Sequence, residues 1–345
     1  KLYVGRMGIF GDRASNFAAE NSDLMIILGS RLSIPQTGYK TKNFAKKSKK
    51  IIVDICFDEL EKKKLSNIIL KYKVDLNIYL SALNKFLMNK KIKKFSKWHK
   101  LIHTWKKNYP IAKKNYIKEK GINSFFFIDN LSQCLNGNET VVTDMGTSFT
   151  CTMQGFKILN NKKQRLFTSS GLAAMGFGLP GAIGAYFADQ RNNIICITGD
   201  GGFMFNMQEL QTINQYKIPM KIFILENKGY LTMKLMQKKN FNRLVGSNKQ
   251  SGVSFPEFKK IAKSFNFKYF KLKKTNIRKQ LKKIVKIKYP TIIEVNMPPN
   301  QLLIPRIQNK LLSDGSFFTP KLDDLYPFLS KRVLEQERSE AYKIK

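Results

Sequence analysis

The sequence predicts an α/β protein built of parallel sheets flanked by helices. Three observations carry that expectation. Short β-branched runs recur along the chain, among them Thr140 to Thr143, Ile194 to Thr198 and Met220 to Leu225. Segments with helical spacing of apolar residues lie between them. Several runs end on Gly or Asp, most informatively at Gly199-Asp200-Gly201-Gly202 and, after Leu225, at Glu226-Asn227-Lys228-Gly229.

Taken in order, residues 1–75 read as a first α/β unit. A helix around Ala14 to Asn21 precedes a strand from Ser22 to Leu28, which ends at Gly29. A second strand runs from Lys50 to Ile55. The unit is short for a doubly wound domain, and the chain opens at Lys1 inside what reads as folded sequence. Both features predict a further segment ahead of it. Residues 76–118 read as a basic helical linker, with Trp98 and Trp105 a heptad apart and packing an amphipathic helix on its neighbour.

Residues 119–297 read as a second α/β domain. A helix is expected from Phe125 to Leu135, then the strand that leads into Asp144-Met145-Gly146. Gly171 to Ala188 reads as a helical region rich in small residues. The segment between the next two strands reads as a helix with Phe205, Leu210 and Ile213 on one side, and Pro219 ends the connection. Helices from Phe255 to Phe265 and Ile277 to Ile287 precede a last strand, Thr291 to Val295. Residues 298–345, with prolines and Asp314-Gly315, read as an irregular covering tail.

Composition narrows the function. The chain has 345 residues and a formal charge of +38. The lysines are spread throughout, and the aromatic residues are mainly Phe and Tyr inside apolar runs. Specific nucleic-acid binding is therefore not expected. A solvated lysine-rich surface and a functional basic face both remain open, and either draws phosphorylated substrates. The 4 cysteines have no metal-ligand spacing; Cys56 and Cys196 lie on strand-like runs and read as buried thiols. That usage fits a reducing, cytoplasmic compartment. The only histidines are His99 and His103, so a histidine triad or zinc site is poorly supported. No apolar run reaches the ~20 residues of a membrane span.

The chemistry concentrates at two strand ends. Asp200 and Asn227 lie 27 residues apart, each just beyond an apolar strand. A strand, a crossover helix and a parallel strand would bring both to one edge of a sheet. Glycines at 199, 201 and 202 would let a phosphate approach backbone N–H groups. A carboxylate and a carboxamide beside such a cradle suit Mg²⁺, which binds oxygen and keeps phosphate and water in its shell.

With Phe167 to Ala185, Phe203 to Leu210, and Asp314-Gly315 followed by Pro320 and Pro327, these motifs resemble thiamine-diphosphate enzymes of the acetolactate-synthase-like group. The resemblance runs from about residue 3 to residue 330. It implies the rear part of that family's central domain followed by its diphosphate-binding domain. The family's catalytic glutamate lies in a preceding domain that this chain does not contain, so no catalytic residue is assigned. The resemblance implies Asp200, Asn227 and the Gly229 carbonyl as Mg²⁺ ligands, and Gly199, Gly201 and Gly202 as the diphosphate cradle. Met175 matches the wedge that bends the cofactor. Gly146, Thr147 and Ser148 lie where the family flanks the diphosphate, with Ser148 replacing a histidine. Tyr230 and Leu231 open the segment after the metal loop, which lacks the tryptophan of true acetolactate synthases. Of the arginine and aspartates that help hold FAD there, only Arg31 remains, which leaves FAD open.

The implied activity is carboligation or decarboxylation of a small 2-oxo acid, in a homodimer or homotetramer. The alternative is a truncated or degenerate homologue that binds cofactor or a partner chain without turnover.

Overall fold

The computed structural model describes residues 2–61, 65–91, 94–160, 163–189 and 193–344. The chain divides into two compact units, Lys1–Ile111 with Ile304–Lys345, and Ala112–Leu303. Residues beyond 303, set apart from position 298 as a tail in the sequence reading, thus belong with the amino-terminal unit.

In the first unit, helix α1 (Arg13–Asn21) is capped by Asp12, whose side chain accepts from the Ser15 N–H at 2.7 Å. Strand β1 (Leu24–Leu28), helix α2 (Ile34–Thr37), β2 (Lys49–Asp54), α3 (Phe57–Glu61) and β3 (Ile68–Lys73) follow. The strands form a parallel sheet in the order β1-β2-β3. Ile27, Phe44, Ile52 and Leu60 fill its core together with Leu322. Cys56, expected to be buried, is exposed, because β2 ends at Asp54 and the chain has already turned outward.

Helices α4 (Leu76–Leu87) and α5 (Ser96–Asn108) make up the basic segment. Trp105 is fully buried, its ring 5.3 Å from Phe17 and 5.7 Å from Trp98. Its indole N–H donates to Glu337 at 2.8 Å. The tryptophans therefore pack α5, as expected of an amphipathic helix, and their neighbours are helices of the same unit.

In the second unit the order is α6 (Ser124–Cys134), β4 (Glu139–Thr143), α7 (Thr147–Gly155), β5 (Arg165–Phe167), α8 (Gly178–Ala188), β6 (Asn193–Gly199), α9 (Asp200–Phe205) and α10 (Leu210–Gln215). Then come β7 (Lys221–Glu226), α11 (Leu231–Phe241), α12 (Phe258–Ser264), β8 (Lys268–Lys271), α13 (Ile277–Ile284) and β9 (Thr291–Asn296). The six strands are all parallel, in the order β5-β4-β6-β7-β9-β8. Val142, Cys196, Ile222, Ile224 and Ile292 form one face of the core with Leu179, Phe203 and Leu210. β4, β7 and β9 are buried almost throughout, as strands covered on both faces must be.

Three expectations fail locally. Residues 171–177 are not helical; Ala173 and Gly176 take φ values of +57° and +92°, and the helix starts only at Gly178. The connection from β6 to β7 is broken at Asn206, whose φ of −134° ends α9; Phe205 is left 56% exposed while Leu210 and Ile213 are buried. The tail is not irregular throughout, since β10 (Lys310–Leu311) and β11 (Phe317–Phe318) pair antiparallel and Lys331–Tyr342 forms α14. Ser330 caps α14 by accepting the Val333 N–H at 3.3 Å. Leu334 and Ala341 of α14 join Phe17 and Trp105 in one apolar cluster. Among the described residues, no helix is long and apolar enough to cross a membrane.

Candidate functional site

The sheet order places the site. β4 and β6 are neighbours, yet β4 leads on to β5 at one side and β6 leads on to β7 at the other. Where the chain diverges in this way, a crevice opens beyond the carboxyl ends of the two strands. Asp144 follows β4, Asp200 follows β6 and Asn227 follows β7. β6 and β7 pair in parallel, with Gly199 opposite Leu225, so the expected βαβ unit forms.

Asp200 is 1% exposed. Its Oδ2 accepts the Asn227 N–H at 2.9 Å and the Gly229 N–H at 3.3 Å; its Oδ1 accepts the Gly201 N–H at 2.8 Å. The strand-end aspartate thus grips the turn after the neighbouring strand. Burial pushes its pKa up to about 6, against the pull of those three backbone donors. A cation at the carboxylate would reverse that push. The Gly201 N–H, expected to face a diphosphate, is taken by Asp200 itself.

Asn227 is also buried, and its Oδ1 has no hydrogen-bond partner. An orphaned buried carbonyl oxygen is uncommon and calls for an explanation. A metal ion is one such explanation. Among the described residues there is no cluster of three His, Cys, Asp or Glu. The donor set beside the Asp200 carboxylate is therefore amide and backbone oxygen, which suits a hard divalent ion retaining water or phosphate ligands.

The surrounding glycines divide into open and crowded positions. A Cβ on Gly146 or Gly199 would meet nothing within 4 Å, so space lies beside both. A Cβ on Gly201 would strike the Tyr230 ring, and one on Gly202 would lie 3.0 Å from the Asp144 carboxyl carbon. Tyr230 is held over Gly201 by an edge contact with Phe255, ring centroids 5.9 Å apart. Leu231 is buried at the start of α11. Thr147 opens α7 and is buried; the Ser148 hydroxyl donates to the Met145 carbonyl at 2.9 Å and so closes a turn. Met175 is 38% exposed, on the irregular loop before α8.

Sequence reasoning missed two residues that hold this arrangement. Asp144, just past the strand Thr140 to Thr143, is 1% exposed and accepts from the Gly176 N–H at 3.0 Å, the Met145 N–H at 2.7 Å and the Thr198 hydroxyl at 2.9 Å. It ties the loop carrying Met175 to the ends of β4 and β6, and burial raises its pKa. Lys234 lies buried on α11, where its ammonium donates to the Asn227 carbonyl at 3.2 Å and the Pro299 carbonyl at 2.8 Å. Desolvation lowers its pKa, while the nearby Asp200 and Glu226 carboxylates act against that.

Residues 144–295 match the C-terminal TPP binding domain of thiamine pyrophosphate enzymes, and residues 1–83 match the central domain of the same enzymes. The acetolactate synthase large subunit of Cyanidium caldarium is 32% identical over 315 residues, which are 89% of this chain and 52% of that protein. The probable acetolactate synthase large subunit of Methanococcus aeolicus is 31% identical over 324 residues, 88% of this chain and 51% of that protein. Chloroplastic acetolactate synthase 2 of Zea mays is 29% identical over 332 residues, 93% of this chain and 50% of that protein. The chain spans about half the length of the curated relatives it matches. Two consecutive domain matches covering most of the chain, on a sheet whose strand ends carry the expected residues, place it in the thiamine pyrophosphate enzyme family, with similarity to acetolactate synthase large subunits.

Proposed function

We propose that this chain supplies the diphosphate-binding half of a thiamine-diphosphate- and Mg²⁺-dependent carboligase or decarboxylase acting on a 2-oxo acid. The observation that carries the reading is the partnerless Asn227 Oδ1 beside a buried Asp200 carboxylate, at the ends of adjacent parallel strands. Asp200, Asn227 and the Gly229 carbonyl would hold the ion, and the open flanks of Gly146 and Gly199 leave room for phosphate oxygens. When bound, thiamine diphosphate supplies the carbanion chemistry that protein side chains lack. This chain's part is to orient it. Asp144 fixes the Met175 loop, Lys234 fixes the carbonyl side of the metal turn, and Tyr230 closes over Gly201.

The proposal extends to a homodimer or homotetramer, as the family resemblance implies. A reducing, cytoplasmic setting goes with four free cysteines. FAD is left out of the proposal, because only Arg31 stands for its binding pattern.

Calorimetric titration with thiamine diphosphate tests the reading. Saturable binding that requires Mg²⁺ is expected. Asp200→Ala should weaken it by about a hundredfold or more, as loss of a buried charged ligand does, with the circular-dichroism spectrum unchanged. Metal-independent binding, or full affinity in the variant, contradicts it. A 2-oxo acid consumption assay then separates turnover from binding alone.

A further inference from the structure

We propose that a cleft in the first unit, at the amino ends of β1 and β2, binds an anion carrying two or more phosphoryl groups. The cleft encloses about 220 Å³ between the end of α1, the loop before β2, the segment after β11 and α14. That is room for several water-sized groups, and so for a small polyanion. It shares no residue with the site around Asp200.

Its charge is unbalanced. Lys46, Lys47, Lys321 and Arg338 line it against two carboxylates, Glu20 and Asp323. Asp323 is committed to Arg338 through paired contacts of 2.6 and 2.8 Å. Glu20 accepts the Ala45 N–H at 3.1 Å, and burial pushes its pKa to about 7. Near neutral pH it is therefore partly protonated, repels an anion weakly, and has an O–H to donate. Among the described residues, no carboxylate lies within ion-pair distance of Lys46, Lys47 or Lys321. Lys47 rests its ammonium 4.6 Å from the centre of the Tyr342 ring, which fixes one cation in the wall.

Lys46 and Lys47 line the recess with no carboxylate in ion-pair contact, and Lys321 beside them faces the partly protonated Glu20, a wall matched by a ligand of two to three negative charges. A single phosphate would leave an excess of positive charge. The amino-end location also separates this cleft from the carboxyl-end crevice where open α/β sheets usually take their ligands. The shared ligand chemistry is a phosphoanhydride, free or attached to an organic group.

Calorimetry of the full chain with inorganic pyrophosphate, in EDTA and at about 0.15 M salt, tests this. One saturable site is expected. The pair Lys47→Ala and Lys321→Ala should weaken it at least about tenfold. A control pair on α12, Lys259→Ala and Lys263→Ala, should leave it unchanged, as should Asp200→Ala. ADP binding more tightly than pyrophosphate would assign an organic carrier; the reverse order would assign the phosphoryl groups alone. Absence of a saturable site, or equal losses in the two lysine pairs, would overturn the proposal and reduce the binding to nonspecific attraction by a basic protein.

Discussion

Asp200 and Asn227 were legible from sequence because each follows a buried strand directly, and strand ends are the best-determined points of a parallel sheet. Asp144 and Lys234 were not. Their roles depend on loops far away in sequence, at Gly176 and at Pro299. An isolated aspartate or lysine in a lysine-rich chain carries no local mark of such contacts. Glu20 is a similar case, and it yields a pH dependence. Its ordinary pKa of 4.5 is raised to about 7 by burial. The folded state therefore holds a proton that the unfolded state releases between those values. Stability from this group is fully present below about 4.5, falls as pH rises, and is lost above about 7. Glu20→Gln keeps an oxygen for the Ala45 N–H and carries no charge. It should stabilise the first unit at pH 8 by on the order of 1–2 kcal/mol, and have little effect near pH 5. Denaturant midpoints at the two pH values check this; the same shift at both would contradict it.

At the scale of elements, the βαβ unit through β6 and β7 was readable because alternation of apolar strands with a crossover of fixed length leaves few arrangements. β3, β5 and β8 were not singled out. β5 and β8 are sheet edges of three and four residues, too short to show a period. Residues 171–177 misled for a different reason. Their small residues suit a helix, but Asp144 draws the Gly176 N–H out of a helical ladder. Asn206 locks the same loop from the other side, its amide donating to the Gly176 carbonyl at 2.9 Å. At φ +92°, a Cβ on Gly176 would lie 2.6 Å from that of Phe205. Gly176→Ala should therefore destabilise the second unit by about 1–3 kcal/mol and weaken thiamine diphosphate binding, because Met175 moves with the loop. Thermal melts and calorimetry of that variant measure both. Unchanged affinity at lowered stability would detach Met175 from the cofactor.

For the whole molecule, two units come from a chain that spans about half of its relatives. The return of residues 304–345 to the first unit was hidden from sequence. It rests on long-range pairings such as Asn16 to the Leu322 carbonyl at 2.8 Å and Trp105 to Glu337. The high charge is likewise a property of the whole, and the cleft beside Arg338 gathers part of it. The proposed ion site is local, at the ends of β6 and β7. The most direct measurement is a crystal structure of the chain soaked with thiamine diphosphate and Mg²⁺. An ion about 2.0–2.1 Å from oxygens of both Asp200 and Asn227, with the Gly229 carbonyl in its shell, is the predicted result. An ion held elsewhere, or a diphosphate seated without either side chain, would contradict it.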